Sequence, residues 1–506
     1  MLSWIAGSRV DHPMADPKKA REIIAGFPAG DAAKALDEAT YWLDSLNHTG
    51  GYKVDRRFEN IDLVDGAAKS HQRKLSLDYL AMERQQKFRE NKLWTGVFGF
   101  WKELGDAYLL CVGQSESGTT SAIRKSMPVI VGRALRALTL QVKWILLRYG
   151  TVEPRLWSEI SRLYQTAEAG GYADHSVAIY PGSHGMGSVS QEFLKAVMLS
   201  ASSTDGLTPL KQEIAERTVA HFSGAFVLGP APSPACPYAF DLAQSRPPFR
   251  VIKGTPPAPT LRFFGAGEGL AQLKRLRATL RENGALPKDV NLGGTYTPEM
   301  IVSVFDHLAQ YWSDQPPARN SERRKTATRI TVVPGLTETL DTLVPANNDA
   351  LDFSATESAE SWIVENVSDG GYGAIIPAAR SDWIKIGGLI GVQGETSTLW
   401  GIGVIRRVGR DEHQQRRVGI QLLTQTAIPV KLARGASDPA EAAILLSTSP
   451  DKNGEVGIVM REGVFNSRDS LEMTVNNKSY LLMPAKMVEG GEDYDWARFK
   501  VMQRST

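Results

Sequence analysis

The sequence predicts a multidomain α plus β chain: a mostly helical N-terminal domain followed by a β-barrel and a further small β module. Three observations predict it. Apolar residues recur at helical spacing across residues 17 to 224. A polar stretch at 313 to 323 carries Pro316 and Pro317 and reads as a linker. Beyond it the apolar runs become short and β-branched or aromatic, divided by glycine and polar turns. The 506 residues are also too many for one hydrophobic core.

The helical elements come first. Leu36, Ala39, Leu43 and Leu46 share one face of a helix that Asp31 is placed to cap. Val64 to Phe98 alternates charged and apolar positions at similar spacing. Leu135, Leu138, Leu140, Val142 and Leu146 supply another apolar surface, with basic residues in the remaining positions. Such helices bury their stripes only against one another, so a bundle or helical array is expected over 1–225. Trp101-Lys102-Glu103-Leu104-Gly105-Asp106-Ala107-Tyr108 matches W-x2-L-G-x2-Y, the first helix of a tetratricopeptide repeat, and Trp157, Ile160 and Tyr164 match in part. The two tryptophans lie much further apart than a repeat of about 34 residues allows. Aromatic core residues on ordinary helices are therefore the favoured reading, with a degenerate repeat-like domain left open.

Between Phe226 and Phe264 prolines cluster, from Pro230 to Pro259, and exclude a continuous helix. Phe249 to Ile252 and Thr260 to Phe264 read as extended strands or packed loop. Helix resumes at Gly267 to Glu282 and at Thr297 to Trp312, where Pro298 takes the first helical position. The segment 226–312 either completes the helical domain or forms a small one of its own. After the linker at 313–323, strands are expected at Ile330–Val333, Ser361–Val364, Gly373–Ile376, Gly388–Val392, Gly401–Val408 and Val418–Leu423. They make a barrel-like domain over 324–433. Further strands from Ala443 to Val501 make a second β module over 440–506.

Composition narrows the function. A net charge of +2 gives no whole-chain reason to bind nucleic acid, so any anion site must be local. Cys111 and Cys236 lie far apart without a CxxC pair, which suits a reducing compartment and argues against zinc. Residues 1 to 9 lack a basic start and an apolar run of signal-peptide length. The most apolar stretch, Met127 to Tyr149, carries Arg133, Arg136, Lys143 and Arg148, too many charges for a spanning helix. A cytoplasmic protein with no membrane span is expected.

One local anion site stands out. Arg323-Arg324-Lys325-Thr326-Ala327-Thr328-Arg329 precedes Glu365-Asn366-Val367-Ser368-Asp369-Gly370-Gly371. Guanidinium forks grip phosphate or the Hoogsteen edge of guanine. A short amide and a hydroxyl on a glycine turn supply the complementary hydrogen bonds. The pairing resembles the PilZ domain, the bacterial receptor for cyclic di-GMP, whose signature is R-x3-R and then [DN]-x-S-x2-G. Asn366, Ser368 and Gly371 fit the second half. Arg324 and Arg329 have four residues between them, whereas Lys325-x3-Arg329 restores the spacing with a lysine in the first slot. The hairpin Trp400 to Val408 and Arg417 to Gln421 also looks like that family's closing strands. The resemblance covers about 321 to 433. It implies that the arginines ride a flexible lead-in to the first strand and clamp the nucleotide from one side. Asn366, Ser368 and Gly371 would hold the other. Arg324, Lys325, Arg329, Asn366, Ser368 and Gly371 are thus the expected ligand-binding residues for cyclic di-GMP.

Other motifs carry less. Gly182-Ser183-His184-Gly185-Met186-Gly187-Ser188 is neither a phosphate loop nor a nucleophile elbow, and Ser188-x2-Gln191 reads as a helix capping box. His175, His184, His221 and His307 show no metal spacing, and Asp493-Tyr494-Asp495-Trp496 reads as an acidic aromatic surface segment. No catalytic or metal constellation is visible, so the chain is not expected to be an enzyme. The expected function is a cyclic di-GMP receptor or effector whose interdomain or partner contacts change on binding, with a protein partner on the helical domain and no cofactor. Motility and biofilm control are the outputs the resemblance suggests. The alternative is a nucleotide-independent interaction scaffold with a degenerate barrel.

Overall fold

A computed structural model describes residues 10–82, 86–116, 121–180, 185–252, 255–256, 258–317, 324–343, 359–368, 370–376, 383–411, 413–435, 438–475 and 478–503. Residues 1 to 9, Gly182, Ser183, His184, Arg323, Asp369 and the side chain of Lys325 lie outside this description. Contacts divide the chain into two compact units, the mostly helical residues 1–148 with 152–318, and the β region 319–506 together with the short piece Tyr149–Thr151.

The first unit starts with α1 (Pro17–Ala25), α2 (Ala32–His48), α3 (Val54–Leu80), α4 (Lys87–Glu116), α5 (Ser121–Leu147), α6 (Pro154–Ala169), α7 (Val189–Ala201) and α8 (Pro209–Phe222). Asp31 caps α2 by accepting from the Ala33 and Lys34 amides, and Ser188 caps α7 by accepting from Gln191. The single pattern over Val64 to Phe98 is split between α3 and α4. Leu104 and Tyr108 of the tryptophan motif are fully buried. A Cβ on Gly105 would stand 2.7 Å from the Gln141 side chain, so this motif seats α4 closely on α5. The basic residues of α5 do not all face solvent: Arg133 and Lys143 are each 5% exposed, paired with Asp62 and with Glu213 and Glu216. Burial of these cations follows from carboxylates on neighbouring helices that the local pattern does not contain. No helix among the described residues is long and apolar enough to cross a membrane.

The proline-rich segment forms β1 (Val227–Gly229), β2 (Tyr238–Asp241), β3 (Phe249–Arg250) and β4 (Leu261–Gly265), an antiparallel sheet in the order β1-β4-β2-β3. Then come α9 (Glu268–Asn283) and α10 (Pro298–Tyr311), the latter capped by Thr297. Phe240, Phe264, Leu273 and Phe305 join the same core as Leu36 and Trp144, so this segment completes the helical unit.

The second unit is two closed six-stranded barrels. The first contains β5 (Arg324–Pro334), β6 (Glu360–Ser368), β7 (Gly371–Ile376), β8 (Leu389–Gly394), β9 (Trp400–Arg410) and β10 (Arg416–Thr424), ordered β10-β7-β6-β5-β8-β9. A short α11 (Gly335–Leu343) follows β5 directly. Ile330, Val332, Trp362, Val364, Ile405 and Val418 fill the interior. Each strand expected from the sequence is present, but β5 begins earlier, at Arg324. The arginine segment is therefore not a flexible lead-in: pairing with β6 makes it the first half of a strand.

The second barrel contains β11 (Ile428–Ala433), β12 (Glu441–Leu445), β13 (Glu455–Arg461), β14 (Leu471–Val475), β15 (Lys478–Gly490) and β16 (Tyr494–Gln503). β11 pairs with β12 and β14, so residues 428–433 belong to this barrel and the first ends at Thr424. Leu336, Leu389, Ile402 and Val404 pack with Ile444, Val459 and Tyr494 into one core between the barrels. The segment Asp493 to Trp496 is accordingly only in part a surface segment: Asp493 is exposed, whereas Tyr494 and Asp495 are buried. Tyr494 is fully buried and its hydroxyl donates to the Gly387 carbonyl at 3.2 Å, while Asp493 accepts from the Leu336 amide at 2.7 Å.

Candidate ligand-binding site

Strand alternation sends successive rungs of the first barrel outward and inward. The register defines three outward rungs beside the β6–β7 turn. Ser368, Gly371 and Gln421 form the one nearest the turn. Lys325, Asn366, Gly373, Gly419 and Arg407 form the next, running across five strands. Arg329, Ile363, Ile375 and Arg417 form the third. Ile363 is 41% exposed, which fixes this face as the solvent side.

Two bulges set which basic residues share that face. Between the rungs of Lys325 and Thr328, β5 has two residues, Thr326 and Ala327, against one on β6, Glu365, and Glu365 is likewise an extra residue of β6 against β7. Lys325 and Arg329 consequently occupy outward rungs. Arg324 falls in register with Val367, whose neighbours Tyr372, Ile420 and Ile405 belong to the barrel interior. Glu365 pairs with Arg417 at 3.0 Å.

Glycines shape the floor. A Cβ on Gly373 would lie 2.5 Å from Asn366 Oδ1, and one on Gly419 would lie 3.3 Å from Arg407 Cβ. The Asn366 amide therefore lies across Gly373 and the Arg407 stem across Gly419, leaning over the β7–β10 pair from opposite sides. Asn366 Oδ1 is buried and finds no hydrogen-bond donor among the described residues. An orphaned buried carbonyl costs about 1–3 kcal/mol, so a bound donor is favoured there. At the turn, Ser368 Oγ donates to the Gly371 carbonyl at 3.3 Å. Gly371 has φ 154° and its missing side chain would collide with the Ile420 carbonyl, so only glycine fits. The Gly370 carbonyl accepts from the Leu422 amide at 3.0 Å, docking the turn on β10.

Of the expected residues, Lys325 and Asn366 are ladder neighbours, and Ser368 and Gly371 close the turn beside them. Arg329 stands one outward rung away, with its Nη1 3.4 Å from Ser361 Oγ and its amide 3.3 Å from Glu395. Sequence reasoning assigned no binding role to Arg407, Arg417 or Gln421. The matching hairpin held them, but only the barrel register carries them to Asn366. Chemically, the face offers guanidinium forks, a carbonyl acceptor that no donor among the described residues satisfies, and a backbone floor to a planar, anionic ligand. The described residues contain no cluster of side chains able to hold a metal.

Residues 18–233 match a family model described as cyclic-di-GMP receptor FimW, N-terminal domain. Residues 346–429 match one described as cyclic-di-GMP receptor FimW, middle PilZ domain. The second span holds Asn366, Ser368, Gly371, Arg407 and Arg417; Arg324, Lys325 and Arg329 precede it. No curated protein matches the chain.

Proposed function

Because this chain carries a PilZ domain and belongs to the cyclic di-GMP receptors, we propose that it takes the nucleotide on the outward rungs beside the β6–β7 turn. The observation that carries this reading is the unpartnered Asn366 Oδ1 lying across Gly373, with Arg407 leaning in over Gly419. Guanine presents N–H donors that satisfy such an acceptor. Arg329, Arg407 and Arg417 supply forks for phosphate and for the Hoogsteen edge. Lys325 takes the first basic position of the motif, and Arg324 acts at the barrel mouth. Ser368 and Gly371 hold the turn in shape.

The output is a change of contacts rather than catalysis, in a cytoplasmic protein whose helical unit docks a protein partner. Gln421 shares the turn's rung and accepts from Arg406 Nε at 2.7 Å. Arg406 in turn forks onto Glu489 of the second barrel. Movement of the turn on binding thus reaches the joint between the barrels through one side chain.

Isothermal titration tests the reading. The full chain should release or take up heat with micromolar cyclic di-GMP at one site, and Asn366→Ala and Arg407→Ala should each weaken binding at least about tenfold. No heat in the wild type would leave the nucleotide-independent scaffold as the reading. Equal binding by both variants would move the ligand elsewhere.

A further inference from the structure

The bulge on β6 does more than set register. Val364 is buried in the barrel interior, so alternation turns Glu365 outward, and the bulge then turns Asn366 outward as well. A carboxylate and an amide acceptor thus leave the strand side by side on the face that is to receive an anion. Glu365 reaches Arg417 across β7, with Oε1 3.0 Å from Arg417 Nη2. Ile375 of β7 stands between the two strands at that level. The ion pair therefore crosses the same strand that supplies Gly373 to the floor.

Asp411, in the turn between β9 and β10, reaches the same nitrogen, with Oδ2 3.2 Å from Nη2. Two carboxylates on one nitrogen is not the two-pronged fork in which a guanidinium binds an oxyanion best. The Asp411 side chain is only 10% exposed, yet its Oδ2 has no hydrogen-bond partner among the described residues. Its other oxygen is fixed, since Oδ1 accepts from the His413 and Gln415 amides at 2.9 Å each. Glu365 is the looser of the two carboxylates, with its side chain 30% exposed. One cation against two carboxylates leaves a single negative charge on the third outward rung. An anion arriving there meets that charge and an arginine already engaged. A phosphate offers Arg417 the two-pronged contact that these carboxylates do not.

We propose that Glu365 sets the nucleotide concentration at which the first barrel responds, by competing with the ligand phosphate for Arg417, an inference that rests on the nucleotide reading of this face. Binding swings Arg417 off Glu365 and onto phosphate. Glu365 turns to solvent, and Asp411 stays in its turn. The receptor is thereby tuned to a weaker affinity than its arginines alone would give. Arg417 is half-exposed, so solvent screens the pair and the handicap is about fivefold in Kd.

Isothermal titration of the full chain with cyclic di-GMP, run as a double-mutant cycle, tests this. Glu365→Gln keeps the shape of the side chain and removes its charge. It should tighten binding about fivefold while keeping the wild-type circular dichroism spectrum. Arg417→Ala should weaken binding, and adding Glu365→Gln to it should bring no gain, because the contested group is gone. Unchanged or weaker binding by Glu365→Gln overturns the proposal and makes Glu365 a support of the site. An equal gain in the Arg417→Ala background also overturns it, since plain repulsion of the ligand would then suffice. Either result leaves the nucleotide site in place. Absence of heat in the wild type and in Glu365→Gln alike overturns the nucleotide reading, and this proposal with it.

Discussion

Arg406 of the first barrel meets Glu489 of the second in a two-pronged ion pair, Nη1 to Oε1 at 2.5 Å and Nη2 to Oε2 at 2.6 Å. The side chains are 32% and 26% exposed, so solvent screens the pair only in part. Below them Tyr494 lies in the shared apolar core. The joint is thus an apolar contact with one charged fork at its rim.

That fork sets the first expectation. Glu489→Gln keeps the shape and removes the charge, and should lower the unfolding free energy of the two-barrel unit by about 1 kcal/mol. Arg406→Ala should also cost about 1 kcal/mol, because Gln421, its other partner, is exposed and exchanges the lost donor for water. Urea denaturation followed by tryptophan fluorescence measures both. The gap should narrow in 1 M salt, and midpoints equal to wild type would show that the apolar core alone holds the joint.

Two glycines of the turn should separate binding from folding. At Gly373 an added methyl meets the end of the Asn366 side chain, which is able to move. Gly373→Ala should therefore weaken cyclic di-GMP at least about tenfold with little change in melting temperature. At Gly371 the obstacle is the Ile420 backbone carbonyl, which does not yield. Gly371→Ala should cost about 2–3 kcal/mol of stability as well as the ligand. Titration calorimetry and thermal melting of the same samples distinguish the two.

Within the first barrel, Glu360 accepts from both Trp362 and Trp383 indoles at 2.9 Å, and the rings stack with centroids 5.6 Å apart. Glu360→Ala strands both donors. It should destabilise the barrel by about 2 kcal/mol and red-shift its emission as Trp383 comes loose. An unshifted spectrum with unchanged stability would show that stacking alone places Trp383.

The helical unit should be acid-sensitive. Burial pushes Glu216 up, but Lys143 and Arg217 outweigh it and hold the carboxyl at about 2, against an ordinary value of 4.5. Glu192 is held low in the same way, with Arg136 and Lys195 overcoming burial. A depressed carboxylate contributes stability that is present above pH 4.5 and is lost as pH falls towards 2. Melting of the wild type between pH 5 and 3 should therefore fall steeply, and Glu216→Gln should fall less. Parallel slopes would contradict the ion-pair account.

Much of this protein could be read from local pattern. The caps at Asp31, Ser188 and Thr297, the helical stripes, the strands of the first barrel and the Asn366-Ser368-Gly371 turn all rest on neighbours within a few residues. Hydrogen bonds and side-chain periods of that range are written directly in the chain. Other features were not legible because their partners are distant. Arg133 and Lys143 looked like surface cations until Asp62 and Glu213 arrived from other helices. Tyr494 looked exposed until the first barrel covered it.

The same division runs through the proposed binding face. Sequence alone determined that a basic cluster and a polar glycine turn occur in order within a β-rich region. Tertiary structure decided which basic residues reach that turn. Bulges at Thr326-Ala327 and at Glu365 put Lys325 and Arg329 on outward rungs and Arg324 on an inward one, and barrel closure brought Arg407 and Arg417 alongside. Spacing along a strand specifies a face only while the ladder is regular, and register is settled by the partner strand rather than by the strand itself.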